Sequence, residues 1–277
     1  MRARVNASFD MILRLKDFLD VLETVAPARW AESWDNPGLQ IGCPTQEIRR
    51  VFSSLDPTSK ALRSASTANA QLLFTHHPLI FKPLSRLNTD IFPGDVITEA
   101  ARKGIAIVAA HTNLDVAQGG INDILADLLG LTDVEVLQPI DAADGIGLGR
   151  IGNLPTPADL SAVARAIKKT LSKPEIRAVG QRDLMIRRLA VVGGSGGSLV
   201  SLAAGKGADL LLTGDVGHHV ALEAQALGMA LIDGGHFHSE KIAFKIFAKT
   251  LDALLRSKGW EIDVVIDEDE VDPIWMD

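Results

Sequence analysis

Short apolar runs and amphipathic stretches alternate along almost the whole chain. Residues 15–25, LKDFLDVLETV, put Leu15, Phe18, Leu19, Leu22 and Val25 on one helical face. Pro27 ends that helix, and the turn-rich SWDNPGLQIG reads as a loop. VFSSLD (51–56) reads as a strand, and 58–70 as a helix. LLFTHHP (72–78) is a buried strand running into a loop. ITEAARKG (97–104) is a helix closed by Gly104, and IAIVAAHTNLD (105–115) a strand ending at polar residues. INDILADLLG (121–130) is a helix with a glycine stop.

The second half repeats the style. RLAVVGGSGG (188–197) is a strand and a Gly-rich turn, and LVSLAAGKG a short helix. DLLLTGD (209–215) and MALIDGGH (229–236) are strands flanking the helix HHVALEAQALG. SEKIAFKIFAKTLDALL (239–255) is a longer helix, and EIDVVI (261–266) a last strand. The middle, 133–187, is least legible. LGRIGNL (148–154) reads as a short strand, with Pro155 and Pro157 marking a turn before a helix. ANAQLLFTHHP and GADLLLTGDVGHH share an alanine, a strand and a terminal threonine. In both halves the next strand runs on to a histidine. This alternation predicts an α/β fold with mixed sheets. It predicts two linked, duplicated lobes with a cleft between them. The expected lobes are residues 1–132 with 230–277, and residues 133–229.

The totals narrow the classes. With 277 residues, 47% of them hydrophobic, the chain can bury one large core or two modest ones. A net charge of −7 argues against a general nucleic-acid binder, though a metal would still draw a small anion. A single cysteine, Cys43, excludes an internal disulfide and fits a reducing, cytoplasmic setting. No apolar run is long enough for a membrane span. The start, MRARVNASFDMILRL, lacks the long apolar stretch of a secretory signal.

The histidines carry the chemistry. They fall at 76, 77, 111, 218, 219, 236 and 238, mostly at or just beyond expected strand ends. Ligands bind at those ends in α/β sheets. His76 and His77 precede Pro78, where both rings can turn to one cavity or simply border a turn. His111 and Asp115 are four apart and share a face if the chain bends into a helical turn; an Asx-type turn is the alternative. His236 and Glu240 repeat that spacing, with His238 between them and Ser239 as a potential helix cap.

Together these clusters supply imidazoles and carboxylates, with His111 in reserve. That mix suits Zn, Fe, Mn, Co or Ni better than Ca or Mg. It exceeds one tetrahedral site and fits a pair of ions. His111 and His238 are the candidate proton carriers. Weaker candidates are the VVGGSGGS turn as a phosphate cradle, and Trp34, Asp35 and Asn36 as a base-stacking group. A tight turn and core packing are their plainer alternatives.

Trp34 to Gly42, Leu55 to Thr58, Thr75 to Pro78, His111 to Asp115, Gly214–Asp215 and His236 to Glu240 stand in a specific order. In that order the chain resembles the Nif-three-like family, the GTP cyclohydrolase I type 2 homologues, from about residue 15 to 266. The resemblance implies that His76, His77, Asp115, His236 and Glu240 bind two metal ions. It also implies two α/β lobes, a homohexamer and a small nucleotide-like substrate. A non-catalytic metal-binding or metal-trafficking scaffold is the alternative function.

Overall fold

The computed structural model describes residues 12–141 and 145–275. The signal-peptide question falls mainly on residues 1–11, which lie outside them. In chain order the elements are β1 (Leu13–Arg14), α1 (Leu15–Val25), β2 (Gly38–Ile41), β3 (Glu47–Ile48), β4 (Arg50–Ser54) and α2 (Ser59–Thr67). Then come β5 (Leu72–Thr75), α3 (Gly94–Lys103), β6 (Ala106–Ala109), α4 (Thr112–Val116) and α5 (Ile121–Leu128). After them lie β7 (Thr132–Asp141), β8 (Ile146–Asp159), α6 (Leu160–Thr170), β9 (Arg177–Val179) and β10 (Met185–Ser195). The chain closes with α7 (Val200–Gly205), β11 (Leu210–Gly214), α8 (His218–Ala226), β12 (Ala230–Asp233), α9 (His236–Ser257) and β13 (Asp263–Ile266). Among the described residues, no helix is long and apolar enough to cross a membrane.

The chain forms two compact units. The first contains residues 1–24, 38–109 and 248–268; the second contains 25–37, 110–247 and 269–277. The first unit carries a five-stranded sheet of order β13-β4-β5-β6-β2. Its strands are parallel except β2, which runs antiparallel to β6. Phe52, Leu62, Leu73 and Ile107 are core residues of this unit. Thr58 caps α2 by accepting the Ala61 N–H at 3.0 Å, so the helix starts immediately after the β4 loop.

The second unit carries a six-stranded sheet of order β7-β8-β10-β11-β12-β9. Here β10, β11 and β12 are parallel, while β8 and β9 run antiparallel to their neighbours. Leu137, Ile151, Val192, Leu211 and Leu231 are buried in its core. The runs β4-β5-β6-β2 and β10-β11-β12-β9 have the same order and the same strand senses. That repeat is the structural counterpart of the duplicated sequence pattern.

Two local expectations change. The segment read as a loop through Ile41 contributes β2, an edge strand that Gly38 enters at a φ of 93°. Pro155 and Pro157 do not mark a turn. They lie within the 14-residue β8, where pairing to β10 jumps from Ala158 to Asn153. A proline fits such an irregularity because no ladder N–H is needed from it.

Candidate metal centre

In the first unit, the ends of β4 and β5 build one corner. The N–H groups of His76 and His77 both donate to the Leu55 carbonyl, at 3.2 and 3.0 Å. The Thr75 hydroxyl donates to the His77 carbonyl at 2.7 Å, tightening the exit from β5. His76 is completely buried. His77 Nδ1 lies 2.7 Å from Asp56 Oδ1. An ionised carboxylate only accepts hydrogen bonds, so this nitrogen carries the proton and Nε2 is the ring atom suited to a metal.

The second unit builds a richer corner. His111 precedes α4, and the Asp115 N–H donates to the His111 carbonyl at 3.1 Å. The helical turn expected from the four-residue spacing is therefore formed, and Asp115 is buried on it. Asn122 fixes the turn from α5. Its Nδ2 donates to the Asp115 carbonyl at 2.9 Å, and its Oδ1 accepts the Gly193 N–H at 2.9 Å. Beyond β12, Gly235 adopts a φ of 79° and α9 begins at His236. His236 Nδ1 lies 2.7 Å from Asp215 Oδ2, and Nε2 lies 3.0 Å from Glu240 Oε2. Asp215 itself holds a φ of 54°, uncommon for a residue with a side chain.

Glycine makes room for this corner. A Cβ at Gly194, which has a φ of 61°, would lie 2.1 Å from Glu240 Oε1 and 3.3 Å from His236 Nε2. The Gly-rich turn is thus shaped around the carboxylate. The N–H groups of Gly193, Gly194 and Gly196 are spent inside the fold, on Asn122, on Ser239 Oγ at 3.2 Å and on Thr213 Oγ1 at 2.7 Å. Those three donors are not open to a phosphate, as a cradle built on VVGGSGGS would need them to be. Ser239 is not the α9 cap either; its hydroxyl contacts the Gly235 and His236 carbonyls at 2.9 Å each.

Asp35 orients the second unit's first histidine, His111. His111 Nδ1 lies 2.8 Å from Asp35 Oδ1, and Thr112 donates to the same carboxylate through its N–H at 3.1 Å and its hydroxyl. Trp34 meets the His111 ring edge-on at 6.1 Å. Burial alone would raise the Asp35 pKa. The bonds from His111, Thr112 and the Asn36 N–H outweigh it and hold the group at about 2. A folded-state value below the unfolded 3.8 stabilises the protein above pH 3.8 and is lost as pH falls towards 2. The shift corresponds to ~2 kcal/mol. Acid unfolding curves are expected to show this loss between pH 4 and 2 in the wild type and not in Asp35→Asn. Identical slopes would contradict it.

His238 lies on the first turn of α9, with Nδ1 3.3 Å from Asp272 Oδ2. Burial and the charge of Lys173 lower its pKa against the pull of Asp272. A cavity of about 410 Å³ opens beside His236, lined also by Lys173, Arg177, Asp215, Phe237 and Asp272. His218 and His219 are exposed at the start of α8, and Cys43 is exposed beside Thr45. Sequence reasoning did not assign Asp35, Asp56 or Asp215 as the partners of His111, His77 and His236. All three stand in motifs already singled out, W-D-N, L-D-P-T and G-D. The signal was a carboxylate just after a strand for Asp56 and Asp215, and a loop carboxylate ahead of β2 for Asp35.

Each unit carries donors of the kind that hold a metal ion, His76 and His77 in the first and His111, Asp115, His236 and Glu240 in the second. The fit is chemical and steric. Nitrogen and carboxylate oxygen donors suit a first-row divalent ion, and the glycine at 194 leaves space at the carboxylate. These features define a two-unit, mixed-sheet α/β protein with a candidate metal centre. The family model of Duf34/NIF3 (NGG1p interacting factor 3) matches residues 13–273, and the chain belongs to this family.

Among its relatives, a Streptomyces coelicolor protein named GTP cyclohydrolase 1 type 2 homolog is 35% identical over 265 residues, covering 94% of this chain and 93% of that protein. A Clostridium perfringens protein of the same name is 29% identical over 261 residues, covering 94% and 98%. Among solved structures, a Bacillus cereus protein related to NIF3 superposes with a TM-score of 0.91 at 27% identity, covering 96% of this chain and all of that one.

Proposed function

We propose that His76, His77, Asp115, His236 and Glu240 hold two divalent ions of the Zn, Fe, Mn, Co or Ni type. We read the protein as a cytoplasmic homohexameric hydrolase acting on a small nucleotide-like substrate. The observation that carries this reading is the pairing of His77 and His236 through Nδ1 to Asp56 and Asp215. Each pairing fixes a ring and leaves Nε2 as the ligand atom, the usual support for a metal-binding histidine. The relatives' shared name, GTP cyclohydrolase 1 type 2 homolog, supports hydrolysis of a heterocycle over other chemistries.

Bound ions would supply Lewis acidity to the substrate and to water. The chain's own residues handle position and protons. Asp35, held ionised, accepts from His111 Nδ1 and so orients the ring, which makes Nε2 the atom through which His111 would carry a proton. His238, biased towards its neutral form by burial, is the second candidate carrier. Asp215 and Asp56 hold the ligand rings against rotation.

The test is metal content per chain on protein purified without chelator, followed by turnover on a panel of nucleotides, phosphoesters and amides. About two ions per chain and turnover on one class are expected. No bound metal after reconstitution with Zn, Mn or Fe would overturn the centre. A metal-replete protein inert on the whole panel would overturn the hydrolase reading and leave a metal-binding scaffold.

A further inference from the structure

Charge is unevenly spread along this acidic chain. Residues 160–190 carry eight Lys or Arg and two acidic residues. The rest of the chain carries 20 and 33, against totals of 28 and 35. The basic segment comprises α6, β9 and the start of β10, all in the second unit. A solvated face would scatter these charges, but the fold collects three of them around a hollow.

A cavity of about 410 Å³ lies between α6 and β9, with Arg165, Lys168 and Arg182 in its lining and no acidic residue among the lining residues. Ser161, Ala164, Arg165 and Lys168 fall on one face of α6, at the spacing of neighbouring turns. Ile176 and Ala178 line the cavity from β9 and the residue before it. Alternation along the strand sends the intervening Arg177 the other way, to Asp233. Arg165, Lys168 and Arg182 make no ion pair among the described residues. The segment's two acids, Glu175 and Asp183, are both outside the lining. Leu160, Ala164 and Ile176 give the hollow an apolar surface.

We propose that this cavity binds a small organic phosphate, with the three cations on the phosphate and the apolar body of the ligand against Leu160 and Ile176. A hollow lined by one sign of charge focuses its field and concentrates counter-ions. Its volume is in the range of small-ligand sites, roughly 300–1,000 Å³. The first backbone donors of α6 are spent, Leu160 N–H on the Leu184 carbonyl and Ser161 N–H on the Arg182 carbonyl. The phosphate is therefore held by side chains and not by the helix end. None of its lining residues is among the proposed metal ligands, and the proposal does not rest on that reading.

The test is calorimetric titration of the full-length protein with phenyl phosphate, inorganic phosphate and a short single-stranded oligodeoxynucleotide, at low and moderate salt. Phenyl phosphate is expected to bind saturably and more tightly than inorganic phosphate. Arg165→Gln and Lys168→Gln are each expected to weaken it by about tenfold, the loss of one charge-assisted contact. Arg187→Gln removes the same charge from an exposed position outside the cavity and is expected to leave binding unchanged. Equal weakening by Arg187→Gln would reduce the effect to net charge and overturn the site. So would phenyl phosphate binding that survives both cavity variants. Binding no tighter than that of inorganic phosphate would overturn the organic component. An oligonucleotide that outcompetes phenyl phosphate with a steep salt dependence would assign the cations to a nucleic-acid backbone and overturn the small-ligand proposal.

Discussion

Glu240→Ala is expected to purify without metal while keeping the wild-type fold. Glu240 is 3% exposed on the first turns of α9, and one of its oxygens lies 3.0 Å from His236 Nε2. A buried carboxylate beside an imidazole costs desolvation energy that only a cation or a charged partner offsets. Removing it takes away a ligand outright, so the loss of affinity should exceed the ~10–100-fold typical of losing a supporting group. Asp215→Asn provides that smaller comparison, because it loosens the His236 ring and leaves the ligand atoms in place. Thermal unfolding separates metal loss from misfolding. Chelated wild-type protein still buries Glu240, whereas Glu240→Ala does not, so the variant should melt at or above the chelated wild type. Metal analysis finding wild-type content in Glu240→Ala would remove Glu240 from the centre. A melting point well below the chelated wild type would make Glu240 a structural residue.

The parts of this molecule that the sequence made legible are those governed by local pattern. Apolar periodicity located α1, α5, β5 and β11 because each is a buried element with a cap, a glycine or a proline at its end. Histidines at strand ends were legible for a related reason: parallel strands deliver their C-terminal loops to one edge of the sheet. Position along the chain does not reveal which carboxylate meets which ring. Asp35 and His111 are 76 residues apart, and Asp215 and His236 are 21 apart. Those partnerships arise from tertiary placement, so the motifs were visible without their roles.

Tertiary pairing also overrode local signals. The glycine and proline around Gly38 look like a loop, yet β6 offers an open edge and the chain pairs with it. Pro155 and Pro157 look like a turn, yet the irregular pairing of β8 with β10 accommodates them. The basic hollow beside β9 was hidden for another reason. Its cations are modestly spaced on α6 and become a site only when β9 and the loop carrying Arg182 close around them.

Gly194→Ala is expected to disrupt the site as strongly as loss of a ligand, through one added methyl group. Two costs combine at this position. The φ of 61° is left-handed, which costs a residue with a side chain ~1–2 kcal/mol. The new Cβ would also lie 2.1 Å from Glu240 Oε1, a separation that no packing accepts. Relief by moving the turn is restricted, because the Gly194 N–H is held by Ser239 and the flanking Gly193 and Gly196 N–H groups by Asn122 and Thr213. The carboxylate must therefore leave its position beside His236. Gly207→Ala isolates the backbone cost. Gly207 has a φ of 77° and nothing within 4 Å of its Cβ direction, so it carries the backbone penalty without the clash. Both variants are expected to lose comparable stability from the backbone, measured by denaturant unfolding after chelation. Only Gly194→Ala is expected to lose metal, by more than tenfold in affinity, while Gly207→Ala stays at the wild-type value. Equal metal affinity in the two variants would mean that the Glu240 carboxylate does not need the place beside the Gly-rich turn, and the glycine would then serve the turn alone.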